Sequence, residues 1–144
     1  MWTMTNSPFQ LDTRLANDTV HVCDWPLSAV LLMNDSRYPW LVLVPRVAGA
    51  SEIFDLAPGD RAVLWQEVTE AAHRLKALTG CRKINVGALG NVVAQLHVHI
   101  VAREAGDFAG NGPVWGQGAA VPYADGARED MLRTMRKELQ RGVA

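Results

Sequence analysis

The sequence of 144 residues predicts an α+β domain, a five-stranded antiparallel sheet with helices on one side. Three observations predict it. Short apolar runs between residues 19 and 44 are separated by turn-forming clusters, one long stretch over 60–79 repeats apolar residues at helical spacing, and a second pair of strand-like segments flanks a glycine loop before a closing helix.

Taken in order, Leu11 and Leu15 among Asp12, Arg14 and Asn17 suit one or two helical turns, punctuated by Ser7-Pro8 and Asn17-Asp18. Thr19 to Cys23 alternates as a short strand that stops at Asp24-Trp25-Pro26, because a residue before proline is pushed towards turn or extended conformations. His21 falls on its polar side. Leu27 to Met33 and Trp40 to Val44 are apolar on both faces, as central strands are, and the cluster Asn34-Asp35-Ser36-Arg37-Tyr38-Pro39 between them reads as a turn joining an antiparallel pair. Residues 60–79 form the strongest helix: Leu64, Val68, Ala71, Leu75 and Leu78 mark its apolar side, Pro58 its first turn and Gly80 its end. Glu67, Glu70, Arg74 and Lys76 read as its polar side, with His73 solvated among them.

Arg82 to Gly87 reads as a strand entering a glycine loop, and Gln95 to Ala102 as its return. The glycine-rich stretch 104–124 carries aromatic residues that need something to cover, so it is expected to be an ordered loop. Residues 126–140 close the chain as an amphipathic helix with Met131, Leu132, Met135 and Leu139 as its stripe, acids at its start and bases near its end.

Bulk properties bound the function. Lys plus Arg (14) nearly balance Asp plus Glu (15), so no overall basic field draws the protein to nucleic acid or anionic lipid, and neither partner is expected. No apolar run approaches the ~20 residues of a membrane span, and Met1 to Pro8 lacks the basic start and apolar core of an export signal. A cytoplasmic protein is expected, with Cys23 and Cys81 most simply free thiols, the alternative being one long-range disulfide.

The chemistry concentrates in Gln95-Leu96-His97-Val98-His99-Ile100-Val101. Strand alternation sends Gln95, His97 and His99 to one face and Leu96, Val98 and Ile100 to the other, with same-face neighbours about 7 Å apart. Before them, Asn85-Val86-Gly87-Ala88-Leu89-Gly90-Asn91 can deliver main-chain N–H groups as an anion-binding nest. Paired imidazoles next to such a loop suit phosphate chemistry. One ring nitrogen can attack phosphorus when the other is held by a fixed acceptor, giving a covalent phosphoramidate, while the loop and the second imidazole stabilise the non-bridging oxygens. Asn34 or Asp35 either builds its turn or accepts hydrogen bonds from sugar hydroxyls.

These residues resemble the signature strand of the histidine triad (HIT) family. The resemblance extends to Asn85-Val86-Gly87 and Gly90, to Leu41-Val42-Leu43-Val44-Pro45, and to Ala105-Gly106-Asp107-Phe108, roughly residues 27–115. It implies residues 1–144 as a single HIT-like domain, commonly a homodimer with a continuous larger sheet, and nucleotidyl hydrolase or transferase activity at an α-phosphate with no metal or other cofactor in the nucleophilic step. The substrate class it implies is a dinucleoside polyphosphate or nucleoside phosphoramidate. It also implies His97 as nucleophile, His99 at the phosphate or scissile bridge, Asn85, Gly90 and Asn91 at phosphate oxygens, Asn34 or Asp35 at the ribose, and Trp115 near the pocket or a subunit interface.

Three departures accompany it. Gln95 stands where the first triad histidine is expected and could orient the nucleophilic ring through its amide. No histidine lies near the strand of Leu41 to Val44, and Val92 stands where a hydroxyl often meets the phosphate. Two other readings follow from the same residues: a nucleotide-binding module without turnover, and a cupin-like metal enzyme using His97, His99 and Glu104.

Overall fold

A computed structural model describes residues 8–141; the N-terminal stretch read above for an export signal lies largely outside them. The strands are β1 (Thr19–Asp24), β2 (Ser28–Met33), β3 (Trp40–Pro45), β4 (Lys83–Gly87) and β5 (Val98–Arg103), and the helices α1 (Thr13–Asp18), α2 (Pro58–Thr79) and α3 (Asp125–Leu139). All neighbouring strands are antiparallel, in the order β1-β2-β3-β5-β4. The strand carrying His99 is therefore interior, paired on both sides.

Apolar alternation sorts the sheet into two faces. Val30, Leu32, Leu41, Leu43, Val98, Ile100 and Ala102 pack beneath Leu64, Val68, Ala71 and Leu75 of α2 and Leu132, Met135 and Leu139 of α3. The opposite face carries Ala29, Leu31, Trp40, Val42, Val44 and Val101, covered by Leu15 of α1, Val93 and Val114. The long and closing helices lie on one side of the sheet as expected, α2 and α3 packing together, while α1 and the loop after β5 cover the other face. Both faces of β2 and β3 are buried because each sheet surface has an apolar cover.

The helix boundaries follow local chemistry. Pro58 occupies the first turn of α2, and Gly80 ends it in the left-handed conformation at φ 66°, where a side chain would be strained. Asp12 caps α1 by accepting from the N–H of Arg14. Glu67 does not belong to the polar side of α2: it is 1% exposed, and its Oε2 accepts from the main-chain N–H of Leu27 at 3.0 Å. The covered face of α2 is wider than its leucine stripe, so the carboxylate meets an otherwise unpaired donor in the β1–β2 connection. His73 is exposed, as expected, and both cysteines are free thiols.

The segment expected as one strand from Gln95 to Ala102 is shorter. Pairing with β3 begins at Leu43 and Val98, while the N–H of Leu96 donates to the carbonyl of Ala50 instead. Pro45 has no N–H to continue the ladder at this end of β3. Gln95, Leu96 and His97 therefore approach the sheet as an extended lead-in. No helix among the described residues is long and apolar enough to cross a membrane.

Candidate active site

His97 and His99 share the sheet face opposite α2, with ring centroids 4.8 Å apart at an interplanar angle of 74°. Each residue is 7% exposed. Leu96, Val98 and Ile100 turn into the core under α2, so the alternation of the motif survives although its first half is not ladder-paired.

Hydrogen-bond partners assign the proton on each ring. His97 Nδ1 lies 2.6 Å from the main-chain oxygen of Gln95. A carbonyl only accepts, so Nδ1 carries the hydrogen and donates it, leaving the lone pair of the neutral ring on Nε2. His99 has the opposite arrangement. Trp40 Nε1–H donates to His99 Nδ1 at 3.0 Å, and since indole only donates, the hydrogen of the neutral His99 ring sits on Nε2. Burial, with a smaller contribution from neighbouring His97, pushes the His99 pKa down from 6.5 to about 4. The pair thus combines one imidazole with an available lone pair and one that offers an N–H.

Aromatic rings enclose His99. Trp40 and Trp115 each lie 5.5 Å from it, centroid to centroid, in edge-on contact. Gly87 makes room for Trp115: it pairs with His99 across the ladder, and a Cβ at this position would lie 2.8 Å from Trp115 Cη2. Trp115 lies against His99 within this chain. The loop bearing Trp115 is anchored by Arg103, which pairs with Asp107 at 2.7 Å and donates to the carbonyls of Gly110 and Gly112 and to Asn85 Oδ1. That guanidinium holds the Asp107 carboxyl below the usual range.

Beside His97, a cleft of about 280 Å³ lies between the turn at residues 51–54 and the glycine loop, with Ala88, Leu89, Gly90 and Gln95 among its walls. Gly90 adopts φ 77°, the left-handed turn that the loop needs. Among the described residues, the main-chain N–H groups of Leu89, Gly90 and Asn91 have no protein acceptor and can meet an anion. Asn91 is exposed at the loop and does not line the cleft.

Other expected site residues are directed elsewhere. The side chain of Gln95 does not reach His97's ring nitrogen as an orienting group. Its Nε2 donates to Gln10 O and its Oε1 accepts from Asp12 N, both at 2.8 Å, so its amide clasps the segment leading into α1 while its main-chain carbonyl orients His97. Asn85 points to Arg103 and borders a separate depression with Arg82 and Lys83. Asn34 and Asp35 occupy the β2–β3 turn, at the end of the sheet where Ala102 N meets Pro39 O, away from His97 at the opposite end of the same chain segment. Asp35 is 1% exposed and ion-paired to Arg37 at 2.8 Å, and Asn34 Oδ1 accepts from Tyr123 N. Burial raises the Asp35 pKa, but the hydrogen bonds and charge of Arg37 outweigh it and hold the carboxyl low. Both side chains tie this turn to its surroundings, Asn34 to the loop before α3 and Asp35 to Arg37. Trp40 and Arg103 do not stand out as site residues in the sequence, where Arg103 leaves only a trace, a charge ending an otherwise apolar strand; Gly87 is read there as part of the glycine loop, without its contact to Trp115.

A family model for the HIT domain matches residues 14–106. The chain belongs to the histidine triad family. A histidine triad protein from Marinobacter aquaeolei superposes with a TM-score of 0.92 at 40% identity, covering 96% of this chain and 100% of that one. One from Bradyrhizobium japonicum gives a TM-score of 0.89 at 41% identity over 92% of this chain and 99% of that one. One from Sinorhizobium meliloti gives 0.88 at 44% identity, over 95% and 100% respectively. A search of curated proteins finds no match. HIT membership points to nucleotide-directed hydrolase or transferase chemistry. The cupin-like alternative fails on architecture, since long helices pack on a single sheet, and among the described residues Glu104 does not join the histidines in a set of three metal-ligating groups.

Proposed function

We propose that this chain is a nucleotide hydrolase or nucleotidyl transferase acting at the α-phosphate of a nucleoside phosphate conjugate through a covalent nucleotidyl-His97 intermediate. The observation that carries the reading is the tautomer of His97: donation from Nδ1 to Gln95 O leaves the Nε2 lone pair available beside His99 and the glycine loop. Attack forms the Nε2–P bond as the bond from phosphorus to the leaving group breaks, with its electron pair departing on the leaving group. The His97 ring gains positive charge and keeps its Nδ1–H on the Gln95 carbonyl. Water, or another acceptor, then displaces His97 from phosphorus.

Oxyanion stabilisation comes from the His99 Nε2–H and the free N–H groups around Gly90. Gln95 is read as standing at the first triad position, its catalytic contribution passing through main chain rather than amide. A homodimer is part of the proposal, because among the described residues β4 ends the sheet with an unpaired edge and Val86 is 45% exposed on it. Sedimentation of the intact protein tests that state.

The functional test is turnover of diadenosine triphosphate and adenosine 5′-phosphoramidate by wild type and His97→Ala. Loss of at least about 1,000-fold in kcat/KM on His97→Ala supports the nucleophile. Equal turnover by the variant overturns it, and nucleotide binding with no wild-type turnover supports the binding-module reading.

A further inference from the structure

The contact between Trp40 and His99 bears on which leaving groups the site can release. We propose that Trp40 is a positioning residue that keeps His99 uncharged and protonated only at Nε2, so that the site favours phosphoric anhydrides over phosphoramidates of alkylamines. The inference rests on the proposed attack by His97 and extends it to the leaving group.

The indole is held rigidly. Trp40 begins β3, is 7% exposed, and packs edge-on against Tyr38 at 6.2 Å and Trp115 at 6.4 Å. Its N–H cannot accept a hydrogen bond, so at 3.0 Å it requires a bare Nδ1 on His99. A second proton on His99 would set N–H against N–H in a buried space. Among the described residues, no carboxylate is hydrogen-bonded to either imidazole to offset the resulting charge. The lowered His99 pKa has the same direction.

The uncharged His99 can lend its Nε2–H as a hydrogen bond but cannot surrender that proton, because an imidazolate would remain. His97 offers no acid either: its Nε2 is committed to phosphorus and its Nδ1–H faces a carbonyl that takes no proton. The Gln95 amide is neutral and turned to Gln10 and Asp12. An anhydride needs no acid. When the bridging P–O bond breaks, the electron pair stays on the leaving phosphate oxygen as a stable anion. An alkylamine leaving group would depart as an amide anion unless protonated first, and the imidazole pair supplies no proton for this. In the second step water forms the new P–O bond, the P–N bond returns its pair to His97 Nε2, and water's proton passes to solvent.

Two measurements on the wild type and one on a variant test this. The ¹⁵N spectrum of imidazole-labelled protein near neutral pH, assigned by the signal lost in His99→Gln, is expected to show His99 Nδ1 bare and Nε2 protonated. A protonated Nδ1 overturns the proposal whatever the turnover. Diadenosine triphosphate is expected to exceed an adenosine 5′-phosphoramidate of an alkylamine in kcat/KM by at least about 100-fold, the lower range of a missing general acid. Rates within about threefold overturn the selectivity. In Trp40→His, residue 40 can accept from His99 Nδ1–H, so the ratio is expected to narrow about tenfold even where both rates fall; an unchanged ratio in folded variant counts against the role of Trp40. Turnover of neither substrate by the wild type overturns the hydrolase reading and the selectivity together, while the spectrum still decides the tautomer.

Discussion

Acidification asks the buried His99 ring to take a proton where Trp40 N–H already fills its only bare nitrogen. In the unfolded chain this ring titrates near 6.5; in the folded protein burial and His97 hold it down to about 4. The unfolded state therefore binds a proton that the native state refuses. The associated stability is intact above pH 6.5 and is lost as pH falls from 6.5 towards 4. At ~1.36 kcal/mol for each tenfold change in proton affinity, the loss is roughly 3 kcal/mol. Urea unfolding of wild type and His99→Gln across this range isolates the contribution, since glutamine can still accept from Trp40 but does not titrate and the other groups largely cancel in the difference. Wild type is expected to lose roughly 3 kcal/mol more than the variant between neutral pH and pH 4. Parallel pH profiles for the two proteins would refute the buried, locked state of His99.

Other substitutions test the supports of the site. Gly87→Ala drives a methyl group into Trp115 and is expected to cost about 1–3 kcal/mol in unfolding free energy, with a shift in tryptophan emission as the indole leaves His99. Arg103→Leu leaves the Asp107 carboxylate, its side chain 8% exposed, without its cationic partner, and chemical denaturation should show a loss of about 3–5 kcal/mol. Gln95→Leu releases the clasp on Gln10 and Asp12 but spares the carbonyl that holds His97. Its kcat is expected to fall less than about tenfold, whereas limited proteolysis near residue 10 should accelerate.

The parts legible in the sequence were those fixed by short-range periodicity. Leu64, Val68, Ala71 and Leu75 announce α2 because one helical face must be covered, and the apolar runs of β2 and β3 announce strands buried on both sides. The shared face of His97 and His99 followed from the two-residue repeat alone. What escaped were partnerships set by the tertiary fold. Gln95 meets a segment more than 80 residues away, and Trp40 reaches His99 across 59 positions. No local pattern distinguishes an indole that packs from one that assigns a neighbour's proton. Glu67 was misplaced for the same reason: helical spacing locates the middle of a covered face but not its margin, where a carboxylate can satisfy a loop N–H. Asn34, likewise, meets Tyr123 N 89 residues away, whereas Asp35 pairs with Arg37 only two positions on.

The claim on which the account turns is a covalent bond from phosphorus to His97 Nε2. Wild-type protein mixed with diadenosine triphosphate, quenched within the first turnover under alkaline denaturing conditions and mapped by mass spectrometry, should carry an acid-labile adenylate on the peptide containing His97 and none in His97→Ala. Product formation with no trapped adduct on His97, or an adduct on another residue, would contradict it.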